Sequence, residues 1–146
     1  MSKKIQLDDE SFASLLFLFN KNQQKYINDA LAEYGLNINQ ASFIVKMFYS
    51  KDYLCQDDLV ESSYLSKSGV AKSLKDLEEK EYVLRERLDD NKRKYVLLLS
   101  AKGEAMIPII EKINNDWEEK MGLDKVNKNF MRTFRSLTKK SIKLNK

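Results

Sequence analysis

Three lysines and three serines share one ten-residue stretch of this chain, and no acid stands among them. Lys67, Lys72 and Lys75 lie with Ser66, Ser68 and Ser73 in Ser66–Lys75. Ammonium and hydroxyl donors at this density, without carboxylates to answer them, suit a phosphate backbone. The cations displace condensed counterions and the hydroxyls bond phosphate oxygens. Gly69, in the same stretch, leaves room for close approach of a backbone. A second set follows within ten residues: Arg85, Arg87, Lys92, Arg93 and Lys94. Either set alone also fits a solvated helix face or a basic hairpin tip. Their order in the chain is what joins them.

Other chemistries find little support. The chain has 146 residues and no histidine, so the commonest general base and the commonest metal ligand are missing. There is no glycine-rich phosphate loop. Asp57-Asp58 and Asp89-Asp90 read as a helix first turn and a hairpin tip rather than paired catalytic acids. No enzyme activity, metal site or cofactor is expected. Cys55 is the only cysteine, which excludes an internal disulfide and fits a reducing, cytoplasmic setting. It is read as a structural thiol rather than a redox switch. No apolar run suits a membrane span, and residues 1–10 lack the apolar stretch of a signal peptide.

The elements that must position the two basic sets follow from periodicity. Charged residues make up 33% of the chain and there is one proline, Pro108, which favours a mostly α-helical fold with long solvated helix faces. Apolar residues recur at three- and four-residue steps over 11–34, closing at Gly35. Asn37 or Asn39 caps a second helix with Phe43, Ile44, Met47 and Phe48 inward. After the link Tyr53-Leu54-Cys55, a short helix near 56–62 places Leu59 and Val60 inward. Ser63-Tyr64-Leu65 turns the chain, and Ser66 caps a helix to about Lys80 whose inward face is Val70, Leu74 and Leu77.

The period then changes. Val83–Leu88 and Tyr95–Leu99 read as strands joined by a polar turn over 89–94, the only sheet signal in the sequence. Ser100 caps a long helix to about Met121, striped by Ile107, Ile110, Ile113, Trp117 and Met121. Gly122 ends it, and Asp124 is expected to cap a last helix carrying Val126, Phe130, Phe134 and Leu137. Short helix, turn, amphipathic helix and charged hairpin, in that order, make a winged helix-turn-helix. In that arrangement the second helix enters the major groove of duplex DNA and the hairpin follows the phosphates.

The stretch YLSKSGVAKSLKDLEEKEYVLRERLDDNKRKYVLLLSAKG, Tyr64–Gly103, resembles the core of the MarR (multiple antibiotic resistance regulator) family. Leu77-Glu78, Tyr82-Val83, Arg85, Arg93, Leu99-Ser100 and Gly103 match its pattern, as do Asn39-Gln40 and Gln56-x-x-Leu59. Three positions depart. Glu81 stands where glycine is usual, which implies a differently capped helix end. Asn91 replaces the wing aspartate that orients the wing arginine, and Ala71-Lys72 replaces Thr-Arg. The resemblance implies a homodimer joined by first and last helices, acting on pseudo-palindromic operators, usually as a repressor. It also implies a small-molecule effector in the cleft between the DNA-binding and dimerisation regions.

The residues support the dimer on their own account. One small winged region cannot cover three long apolar-striped helices, and a second copy can. Phe12, Leu16, Trp117, Phe130, Phe134 and Leu137 are the expected dimer contacts. The chain is thus read as a single domain over 1–146, with DNA binding at about 37–100 and helical dimerisation at about 8–34 and 101–146. After Asp124 there are eight lysines or arginines and no acid. They are read as the solvated back of a dimer helix, with extra DNA contact as the alternative. The helically spaced aromatics are read as core rather than a ligand cleft. The rival function is a protein–protein adaptor that reuses the winged helix without specific DNA binding.

Overall fold

The computed structural model describes residues 7–88 and 91–145; the side chains of residues 88 and 91–94 fall outside that description. Among the described residues the elements run α1 (Phe12–Leu31), α2 (Ile38–Tyr49), α3 (Gln56–Ser63), α4 (Lys67–Glu79), β1 (Val83–Leu88), β2 (Asn91–Leu99), α5 (Ala101–Met121) and α6 (Lys128–Leu144). Short 3-10 turns at Ala32–Tyr34 and Leu123–Lys125 follow α1 and α5. The fold is mostly helical with one small antiparallel sheet. The chain divides into two compact units, Met1–Ile113 and Asn114–Lys146.

In the first unit each expected helix forms, and its ends show why. Ser11 caps α1 by accepting from the Ser14 N–H. The single helix expected over 11–34 tightens into a 3-10 turn at Ala32. It closes where Gly35 takes φ 69° and the Leu36 N–H reaches the Leu31 carbonyl at 3.3 Å. Asn37, not Asn39, caps α2. Its Oδ1 accepts from the Gln40 N–H at 2.9 Å, and Gln40 Oε1 accepts from the Asn37 N–H at 3.1 Å, a reciprocal capping box. Asn28 Oδ1 accepts from the Ile38 N–H at 2.7 Å and so fixes the α1–α2 corner.

The core is a continuous cluster in which Leu31, Ile44, Leu59, Val70, Leu74 and Leu77 are wholly buried. Full burial of such side chains contributes about 1.5–3 kcal/mol each. Phe48 departs from the expected inward set. It lies in the last turn of α2, packs edge-on to Tyr49 and remains 45% exposed.

Two expectations about the sheet change. The link before α3 is not plain loop: the Leu97 N–H donates to the Leu54 carbonyl at 2.8 Å, adding a one-residue bridge to the outer edge of β2. The turn is also shorter than the polar run suggested, because β2 starts at Asn91 and pairs it with Leu88. Polarity alone marked 91–94 as loop, but the backbone there is extended and Asn91 pairs across the hairpin. The register continues Arg87↔Tyr95, Arg85↔Leu97 and Val83↔Leu99, with an irregularity between Arg87 and Leu88.

α5 starts against this sheet. Ser100 Oγ accepts from the Gly103 N–H at 3.0 Å and donates to the Glu81 carbonyl at 2.6 Å. Met106 and Ile107 complete the core of the first unit. In the second unit, α6 is capped by Asn127, whose Oδ1 accepts from the Asn129 N–H at 2.8 Å. Asp124, the expected cap, lies inside the preceding 3-10 turn instead. Three residues of tight turn intervene, so the helix starts later than the acid suggested.

Candidate nucleic-acid interface

α3 and α4 are joined by a turn of three residues, and the turn is set by backbone geometry. Tyr64 takes φ 59°, a left-handed conformation uncommon outside glycine, and is 78% exposed. Ser66 then caps α4, its Oγ accepting from the Gly69 N–H at 3.0 Å. That cap gives Gly69 a local role, since a Cβ there would stand 3.0 Å from the same oxygen.

The buried face of α4 is the expected one, and a polar network locks it from the side. Gln40, itself buried, donates to the Ser73 carbonyl at 3.3 Å and to Asp76 Oδ2 at 2.8 Å. Lys80 Nζ donates to the same carboxylate at 2.8 Å and to the Gly35 carbonyl at 2.6 Å. One side-chain cluster therefore fixes α4 to the start of α2 and to the end of α1. The Lys80 ammonium, and after it the Gln40 amide, hold the Asp76 carboxyl below its ordinary value.

At its C-terminus α4 ends in a Schellman motif: the Tyr82 N–H reaches the Leu77 carbonyl at 2.9 Å and the Glu81 N–H reaches that of Glu78 at 3.0 Å. Glu81 takes φ 65° there. The departure from glycine thus changes the residue and keeps the cap, contrary to the expectation of a different closure. Tyr82 donates its hydroxyl to the Tyr34 carbonyl at 2.7 Å, and burial pushes its own pKa upward. At the far end of α2, the hydrogen bond Tyr49 donates to Glu111 of α5 raises the Tyr49 pKa.

What α4 presents outward is cationic. Lys67, Lys72 and Lys75 are exposed with Ser66 and Ser68, while Gly69 and Ser73 are half-buried. No ion pair engages these three lysines among the described residues.

The wing residues divide. Arg85 turns back on the protein, its Nε donating to Glu78 Oε1 at 2.6 Å and its guanidinium to Gln56 Oε1 at 3.0 Å. It clamps β1 to α4 and α3, a structural role that its place in a basic run did not suggest. Arg87 Nε donates to the Tyr95 hydroxyl at 2.7 Å and its guanidinium lies 4.9 Å from the centre of that ring. The backbone of Lys92, Arg93 and Lys94 belongs to β2, and their side chains lie outside the described residues.

A model of the SarA/Rot family of transcriptional regulators matches residues 25–113, more than half of the chain and all of the winged region. The chain belongs to the SarA/Rot family of transcriptional regulators. The fold of this SarA/Rot regulator is that of MarR proteins. A MarR crystal structure superposes with TM-score 0.83 at 24% identity, covering 97% of this chain and 98% of the other. A MarR regulator from Methanosarcina mazei Go1 gives 0.80 at 21% identity over 90% and 96%. A MepR–DNA complex from S. aureus gives 0.83 at 14% identity over 94% and 100%. No curated protein matches the chain.

Outside the winged region, Phe12 and Leu16 on α1 and Phe130, Phe134 and Leu137 on α6 are exposed large apolar side chains. Phe130 and Phe134 stack with centroids 6.0 Å apart. Trp117 of α5 is 9% exposed. Among the described residues no helix is long and apolar enough to cross a membrane.

The sequence missed the Gln40–Asp76–Lys80 network. The signal was Gln40 opposite Asp76 and Lys80, an i,i+4 pair, but it needed the knowledge that α2 crosses α4.

Proposed function

We propose that this SarA/Rot-family chain is a sequence-specific, duplex-DNA-binding transcriptional regulator. In this reading it is a homodimeric repressor on a pseudo-palindromic operator, acting in the cytoplasm. The observation that carries the reading is the outward face of α4. Lys67, Ser68, Lys72 and Lys75 are exposed on a helix locked into its frame from three sides, and its lysines are not neutralised by any described residue. A helix fits the major groove, and unpaired lysines give counterion release. Arg87, Lys92, Arg93 and Lys94 serve the wing, and Arg85 holds it in place.

The dimer is supported by the exposed apolar residues of α1 and α6, which a monomer would leave in water. Two copies present two recognition helices to two half-sites. In this division, about 37–100 binds DNA and about 8–34 with 101–146 joins the copies. The MepR–DNA complex, a protein of the same fold, supports the docking. The resemblance to MarR proteins extends the reading to a small-molecule effector that releases the operator.

Fluorescence anisotropy tests it, using a labelled duplex from the gene's own upstream region beside a scrambled duplex at two salt concentrations. Tight, salt-sensitive binding that favours the upstream sequence at two chains per site is expected. Arg93→Ala should weaken it by roughly 1–3 kcal/mol in a folded dimer. Equal, weak binding to a panel of duplexes covering the chromosome would overturn the reading.

A further inference from the structure

α6 carries charge in a pattern that the winged helix does not use. Lys128, Arg132, Arg135, Lys139, Lys140 and Lys143 are all exposed on it, and the helix holds no acid. At about 100° per residue, Lys128, Arg132, Arg135 and Lys139 fall within roughly 60° of one another, with Lys143 at the edge of the same stripe. Phe130, Phe134 and Leu137 occupy the opposite side. No ion pair engages the four stripe residues among the described residues. The stripe lines an open hollow of about 610 Å³, together with Val126, Met131 and Ser136.

We propose that this face of α6 is a second phosphate-binding surface, which takes the sugar–phosphate backbone of duplex DNA without reading its sequence. From residue 128 to 139 the helix advances about 16 Å, at 1.5 Å per residue. One DNA strand presents a phosphate about every 3.4 Å along the duplex axis, and because the strand winds, roughly two to four of those within this length turn toward the four cations. Two of the four are arginines, whose planar forks bond phosphate oxygens in pairs, and Ser136 adds a hydroxyl donor.

A lipid surface fits less well. An interfacial helix lies with its apolar face down and its cations at the flanks. Here the stripe stands directly opposite the apolar face, so an embedded helix would aim it away from the headgroups. The same opposition leaves Phe130, Phe134 and Leu137 available to a second copy while the stripe stays in water. The stripe and the outward face of α4 share no residue, so the success or failure of this surface is separable from that of the proposed operator site.

The test compares full-length wild type with Lys128→Ser/Arg132→Ser/Arg135→Ser/Lys139→Ser and with Lys67→Ala/Lys72→Ala/Lys75→Ala, all on a random-sequence duplex across a salt series. Wild type should bind with a slope of log K against log salt that falls by about 2–4 in the α6 variant, near 0.9 for each phosphate no longer neutralised. The α4 variant should lose selectivity for the upstream duplex and keep the α6 share of random-duplex binding. An unchanged slope and affinity in the folded α6 variant would overturn the proposal. Should that variant fail to fold, acylation of wild type decides: Lys128 and Lys139 lose reactivity in the saturated complex if the proposal holds, and unchanged reactivity overturns it. Stripe-dependent flotation with phosphatidylserine vesicles, without any stripe-dependent duplex binding, would assign the surface to membranes instead.

Discussion

Gly103→Ala should destabilise this protein, although it only adds a methyl group within a helix. Gly103 lies in the first turn of α5, where alanine would ordinarily favour the helix by about 1 kcal/mol. The tertiary structure reverses that sign. A Cβ at 103 would stand 2.3 Å from the Tyr82 carbonyl oxygen and 3.1 Å from Leu99 Cδ2. A carbonyl oxygen on the backbone cannot rotate away, so α5 must retreat from the α4–β1 turn. The same oxygen accepts from the Ser100 N–H at 3.1 Å and from Ser100 Oγ at 3.1 Å, and the retreat stretches both bonds. Overpacking strain costs about 1–3 kcal/mol and each broken hydrogen bond about 0.5–1.5 kcal/mol. Set against the propensity gain, the net loss is about 1–5 kcal/mol. Urea unfolding at fixed protein concentration reads it as a midpoint lowered by roughly 0.5–2 M. A midpoint equal to or above that of wild type would refute the close approach and the packing argument built on it.

Glu81→Gly should act in the opposite direction. Relieving a left-handed residue saves about 1–2 kcal/mol, partly offset by the greater freedom of glycine when unfolded. A rise in Tm of a few degrees is expected, and no rise would mean that the Schellman turn is not strained. Arg85→Ala should weaken duplex binding modestly with no change in the salt slope, because Arg85 holds Glu78 and Gln56; a slope lowered by about 1 would make it a phosphate ligand instead. The Asp76 carboxyl is held low by Lys80 and Gln40 in the folded state. Its stabilisation is therefore full above the ordinary aspartate pKa of about 3.9 and disappears as pH falls through the lowered folded value. Partial exposure screens the effect. Asp76→Asn should be less stable at pH 7 and lose less on acidification than wild type, as followed by circular dichroism; parallel acid limbs would discount the network.

The sequence carried most of what local physics controls. Val70, Leu74 and Leu77 at four- and three-residue spacing declared the buried face of α4, and Ser66, Ser100 and Gly35 declared helix ends, because caps and periodicity involve neighbours along the chain. The MarR-like pattern added the order of elements and pointed to the positions of the basic residues. Errors came where distant groups decide. Asp124 looked like a cap until a tight turn placed Asn127 there, and Glu81 looked incompatible with a closure that the surrounding turn imposes anyway. Composition alone could not tell Arg85 from Arg87. One meets Glu78 and Gln56 and becomes part of the frame, while the other lies across Tyr95 of the neighbouring strand.

By itself, then, the sequence determined a winged helix-turn-helix whose second helix carries a cationic face, since amphipathic spacing and charge segregation are properties of each segment. Only the tertiary structure decided which cations remain free for a polyanion and which are spent on holding the fold. That depends on which carboxylate or amide each one meets across the core, a matter of crossing helices that no spacing along one segment encodes.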